Sequence, residues 1–151
     1  MSILGTVLRY FSERRARALS LDQAARRLEA SGPTVANRMR AASNSPVALE
    51  QARHIIGIER WAQARLRQLL GGPALNDEYN GYRPDDVTTL PALADAFAAT
   101  RAETVALARA LHQAGKSGSE TIPHNELGAL SASGWFIYLD DHALRESLLI
   151  R

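Results

Sequence analysis

Apolar residues recur at intervals of three and four along almost the whole chain, and no stretch alternates β-branched and polar residues. That period belongs to helices with one buried stripe, so the expected fold class is all-α. Leu21, Ala24, Ala25 and Leu28 form such a stripe behind Ser20, a good N-cap, and Val35, Met39 and Ala42 continue its phase. Ser31-Gly32-Pro33 interrupts the run, which predicts either one kinked helix or two short ones. Residues 3–18 predict an additional helix with Leu4, Val7, Leu8 and Phe11 on one side.

Ser45-Pro46 is a cap followed by proline at the first helical position. The helix it opens is expected to reach about Leu70 and to stop at Gly71-Gly72-Pro73. Residues 73–88 read as a long loop, a length that in compact domains often carries function. Thr89 opens a third long helix that ends near Gly115, and Leu90, Leu93, Phe97, Val105, Ala108 and Leu111 mark its buried side. Residues 115–128 read as loop, and Ser131 or Ser133 caps a last helix running to the end. Four long helices with a long middle connection predict a four-helix bundle, a single domain over 1–151 with 1–19 as an N-terminal helical extension.

Charge and composition narrow the function. No apolar run approaches the ~20 residues of a membrane span, and the start lacks the pattern of a signal peptide, so a cytoplasmic protein without membrane contact is expected. Without cysteine, disulfides, thiolate metal sites and cysteine nucleophiles drop out. Residues 1–70 hold 12 arginines against 5 acidic residues, and residues 71–151 hold 6 basic against 11 acidic. Such halves attract each other within one bundle. No basic cluster with interleaved aromatics appears, and no nucleic-acid partner is expected.

The residues with chemistry in them are His142 and Glu146, four apart in GWFIYLDDHALRESLLI. With Trp135, Leu139 and Leu149 they form one face of the last helix, so two ionisable groups interrupt an apolar row. His54 shares a face of the second long helix with Val47, Ile58 and Trp61. Burying such groups is costly unless they are paired or bind a metal. Two imidazoles and a carboxylate make a plausible ligand set for zinc, nickel, manganese or ferrous iron. The plainer alternative is a hydrogen-bonded core histidine beside an intrahelical His–Glu pair.

HIIGIERWAQARLRQLLG, the YRPDD loop and HNELGALSASGWFIYLDDHALRES together resemble the DinB/YfiT-like superfamily of metal-binding bundles, over roughly residues 45–151. The resemblance implies an up-down-down-up four-helix bundle. It implies a metal set of one histidine on the second helix and two on the last, four apart. His54 and His142 match two of these positions, and Glu146 stands where the family has its third histidine. It further implies a metal-dependent enzyme with a small-molecule substrate: a low-molecular-weight-thiol S-transferase or a hydrolase. The alternative is a non-catalytic bundle acting through protein contacts. A homodimer is expected, with Leu4, Leu8 and Phe11 as its surface.

Other polar residues read as supporting parts. His124, in HNELG, suits a loop-fixing hydrogen bond, and His112 a structural place near a helix end. Tyr79, Tyr82 and Arg83 could rim a pocket mouth. Asp140 and Asp141 read as a solvated face or as partners of His142, and Arg145 as a partner of Glu146 or of an anionic substrate.

Overall fold

The computed structural model describes residues 3–151, with side chains from Thr6 onward, so the Leu4 side chain lies outside the described residues. The chain is mostly helical. Its helices are α1 (Ile3–Ala16), α2 (Leu21–Ala41), α3 (Pro46–Leu66), α4 (Leu90–Gln113) and α5 (Ala132–Glu146). Each start from α2 onward is chemically marked. Ser20 and Gln23 close a reciprocal capping box on α2. Ser45, Thr89 and Ser131 accept from the amides of Ala48, Ala92 and Gly134 to cap α3, α4 and α5. Beyond α3 a single 3-10 turn carries the chain to Gly71, whose φ of 91° ends it as only glycine does comfortably.

α2 is one helix that continues through Pro33, not two short ones. Gly32 has a packing reason. A Cβ there would stand 3.1 Å from Cγ of Arg101, so the missing side chain lets α4 approach. α2 packs along α4, α3 against α4 and α5, and α5 also against α1 and α2. The resulting bundle buries one cluster around Leu21, Leu28, Trp61, Trp135 and Phe136, and another around Val35, Met39, Ile56, Leu93 and Phe97. At ~1.5–3 kcal/mol per large apolar side chain, these clusters dominate the cohesion of the fold. No described helix is long and apolar enough to cross a membrane.

Three expectations fail in detail. Residues 115–128 are not all loop: β1 (Thr121–His124) pairs antiparallel with β2 (Gly128–Ser131). Four-residue strands are too short to show alternation, and Gly128 at φ 78° makes the tight turn between them. Val47 and Leu149 lie on the expected stripes but are solvent-exposed; Val47 is in the first turn of α3, and Leu149 is in a 3-10 turn beyond α5. On α1, Ser12 and Ala16 are buried and Leu8 half-buried, whereas Val7 and Phe11 face outward.

A buried polar spine crosses the bundle. The Arg101 guanidinium donates to both oxygens of Glu59, at 2.7 and 2.9 Å, and reaches Asp140 at 3.4 Å. Asp140 is met again by Arg27 at 2.6 Å and by Ser31. Thr104 donates to Glu59 at 2.8 Å, and Gln63 donates to Thr104. Asp140 is 1 % exposed and does not reach His142, so it is neither a solvated residue nor a partner of the histidine. Arg15 and Arg27 also bind Asp141, so arginines of the basic half meet carboxylates of the acidic half.

Candidate metal centre and its cavity

α3 carries His54 and α5 carries His142 to a common point, where their Nε2 atoms stand 3.2 Å apart. The ring centroids are 5.1 Å apart and the planes are inclined by 55°. His142 is 6 % exposed, and burial pushes its pKa down to about 3, helped by the neighbouring His54. Burial also lowers His54, against an opposing pull from Glu146. Both rings are therefore neutral at pH 7, the form that binds metals.

Glu146 reaches the same cavity but is committed elsewhere. Its Oε2 accepts from the Gln51 side-chain amide at 2.7 Å, and its Oε1 accepts from Arg145 at 3.0 Å. Among the described residues, no three or more His, Asp or Glu side chains are grouped to hold an ion. The structure thus brings together two of the three residues singled out from the sequence and leaves the third on the wall of the same cavity, paired with Gln51 and Arg145.

The donor pair itself suits an ion. With Zn–N bonds of about 2.0–2.1 Å and tetrahedral angles, two ligand nitrogens lie about 3.3 Å apart. The observed 3.2 Å fits that spacing, and it fits an N–H···N hydrogen bond between the rings equally well.

The pair opens on a cavity of about 250 Å³ between α3, α5 and the hairpin, with Leu8 of α1 at one side. Aromatic rings make most of its wall. Tyr79 stands edge-on to His54 at 5.2 Å, and Tyr138 lies 5.6 Å from His142. His124 is enclosed by Trp61, Trp135 and Tyr138 at 5.1, 4.9 and 5.0 Å. Its Nδ1 accepts from the amides of Glu126 and Leu127, which fixes the hairpin turn, while its Nε2 is buried with no partner. Burial and the nearby Arg65 hold its pKa down to about 4. A wider groove of about 640 Å³ runs between α2 and α4, but it is lined by Gly32, Pro33, Ala36 and Ala102 and carries no imidazole. Size alone would select that groove; the ligand-type side chains select the smaller cavity.

Of the expected rim residues, Tyr79 lines the cavity. Tyr82 instead donates to Asp77, and Arg83 lies over Gly57 and bridges to Glu50. Sequence reasoning missed Tyr138 and Gln51. Tyr138 precedes His142 by four residues, the spacing that separates His142 from Glu146, so one helical face carries all three. Gln51 carries no signal in the sequence, because its role depends on how α3 lies against α5.

Comparison of the chain with protein-family models, with curated proteins and with solved structures gives no match.

Proposed function

We propose that the chain is a divalent-metal-dependent enzyme acting on a small molecule in the cavity between α3 and α5, on a DinB-like four-helix bundle. His54 and His142 would hold the ion through Nε2, with Glu146 as third ligand once it turns from Gln51 and Arg145. The reading is carried by one observation: two neutral imidazoles on separate helices with Nε2 atoms 3.2 Å apart at a cavity wall. Zinc, nickel, manganese and ferrous iron all suit two histidines and a carboxylate.

An ion there would lower the pKa of a bound thiol or water, the chemistry of an S-transferase or a hydrolase respectively. The chain's own residues do the rest. Tyr79, Tyr138 and Trp61 wall the substrate and exclude water. Gln51 and Arg145 hold the carboxylate of Glu146 in reserve at the edge of the cavity until an ion draws it in. The outward Val7, Tyr10 and Phe11 of α1 offer an apolar face for a homodimer.

Elemental analysis of protein purified without a metal-affinity tag tests the proposal. The expected result is close to one ion per chain, lost in His142→Ala, and a rise in Tm when zinc is added to metal-depleted wild type. No bound metal, and no stabilisation by zinc, nickel or manganese, would sink it. The second reading, a non-catalytic bundle with a plain imidazole–imidazole hydrogen bond, draws on the commitment of Glu146 to Gln51 and Arg145 and predicts that outcome.

A further inference from the structure

Two polar groups in the cavity are not used by the proposed ion, and they indicate what kind of molecule enters it. His124 is 7 % exposed. Because its Nδ1 accepts two backbone N–H groups, Nδ1 bears no hydrogen, and the neutral ring carries its hydrogen on Nε2. That N–H is buried and has no hydrogen-bond acceptor. Tyr138 lies edge-on to the His124 ring at 5.0 Å, and among the described residues its hydroxyl makes no hydrogen bond. Both side chains line the cavity; the His124 N–H is a buried donor without an acceptor, and the hydroxyl of half-buried Tyr138 is a second donor that no protein group meets. Buried donors in native proteins are nearly always met, and where protein does not meet them a ligand or water does.

The charges around the cavity limit what that ligand can be. Glu78, Glu126 and Glu146 stand against one cation, Arg145, which is already paired with Glu146. In the ion-free chain an anion would enter against that field. Trp61, Tyr79, Tyr138, Ile58 and Leu8 offer a flat apolar body a good fit. The volume of about 250 Å³ lies below the range typical of drug-sized ligands.

We infer that the cavity takes a small, uncharged, ring-bearing molecule whose carbonyl oxygen accepts from the Nε2–H of His124 and the hydroxyl of Tyr138. The inference rests on the proposed function for the identity of the site, but not on the ion.

The test uses the metal-depleted full chain with ¹⁵N-labelled histidine and three probes: benzamide, benzoate and toluene. Benzamide should bind saturably and move the His124 ring resonances. Benzoate, the anion of the same shape, and toluene, which lacks an acceptor, should bind at least tenfold more weakly. His124→Asn keeps an acceptor for the turn amides and puts its NH2 where the ring carbon Cδ2 stood, so the donor at the Nε2 position is lost; Tyr138→Phe loses only the hydroxyl. Each should weaken benzamide at least fivefold and leave toluene unchanged. Benzoate binding as well as benzamide, no saturable benzamide binding, or both variants binding it like wild type would overturn the inference. If His124→Asn fails to fold, Tyr138→Phe decides. Zinc uptake measured on the same samples separates the two ideas. Its absence would remove the ion and leave the benzamide result standing, whereas zinc uptake without benzamide discrimination would remove only this inference.

Discussion

Two polar clusters sit on opposite faces of α5, and they are built in opposite ways. Asp140 faces the spine of Glu59, Arg101 and Arg27, where each buried charge meets an opposite charge and further hydrogen bonds. Two residues on, and so about half a turn round the helix, His142 faces a cavity walled by aromatic and imidazole rings with charged side chains among them. There the Nε2 of His124 and the hydroxyl of Tyr138 have no hydrogen-bond partner. The spine is complete without any ligand. The cavity is not, and incomplete polarity beside open space marks the face where binding is expected.

Arg101→Met should break this contrast most severely. Asp140 keeps Arg27, but Glu59, 1 % exposed, keeps only Thr104 and becomes a buried charge without a counter-ion. Breaking such a pair costs about 3–5 kcal/mol. At roughly 2–4 °C per kcal/mol for a chain of this size, Tm should fall by about 10 °C. Adding Glu59→Gln should recover part of the loss, since removing both partners is cheaper than orphaning one. A single-variant loss below about 1 kcal/mol would mean that the spine is not structural.

Acid should strain the cavity side. The folded pKa of His124 is about 4, against 6.5 for the free imidazole. Above pH 6.5 neither state takes a proton there. Between 6.5 and about 4 the unfolded chain is protonated and the buried ring is not, so stability falls as pH falls. A shift of that size corresponds to about 3 kcal/mol, complete near pH 4. Urea midpoints measured from pH 7.5 to 4 should therefore drop more in wild type than in His124→Asn. Equal slopes would show that the ring is not held neutral.

The same contrast explains what could be read from the sequence. The helices were legible because each stripe and each cap is local: Ser20 with Gln23, Ser45 with Pro46, Thr89 before Leu90. His54 and His142 were legible because ionisable residues interrupt apolar rows. The spine was not. Asp140 looked solvated because its neighbour Asp141 is charged too, and its true partners lie more than a hundred residues away, on α2, or thirty-nine away, on α4. Nor does spacing show which way Glu146 turns, since Gln51 and Arg145 compete for it only in the folded chain. The hairpin was missed because its strands are shorter than the window in which alternation can be seen.

Tyr138→Phe makes the smallest expected change in stability, and for that reason it sharpens the comparison. In the spine every polar atom removed leaves another behind. In the cavity the Tyr138 hydroxyl has no partner among the described residues, so deleting it orphans nothing and leaves its ring contacts with His124 and His142 intact. Stability should stay within about 0.5 kcal/mol of wild type in a urea or thermal melt. A loss above about 1 kcal/mol would mean that an ordered water already satisfies the hydroxyl. The cavity would then be as complete as the spine, and the physical ground for expecting a ligand there would be gone.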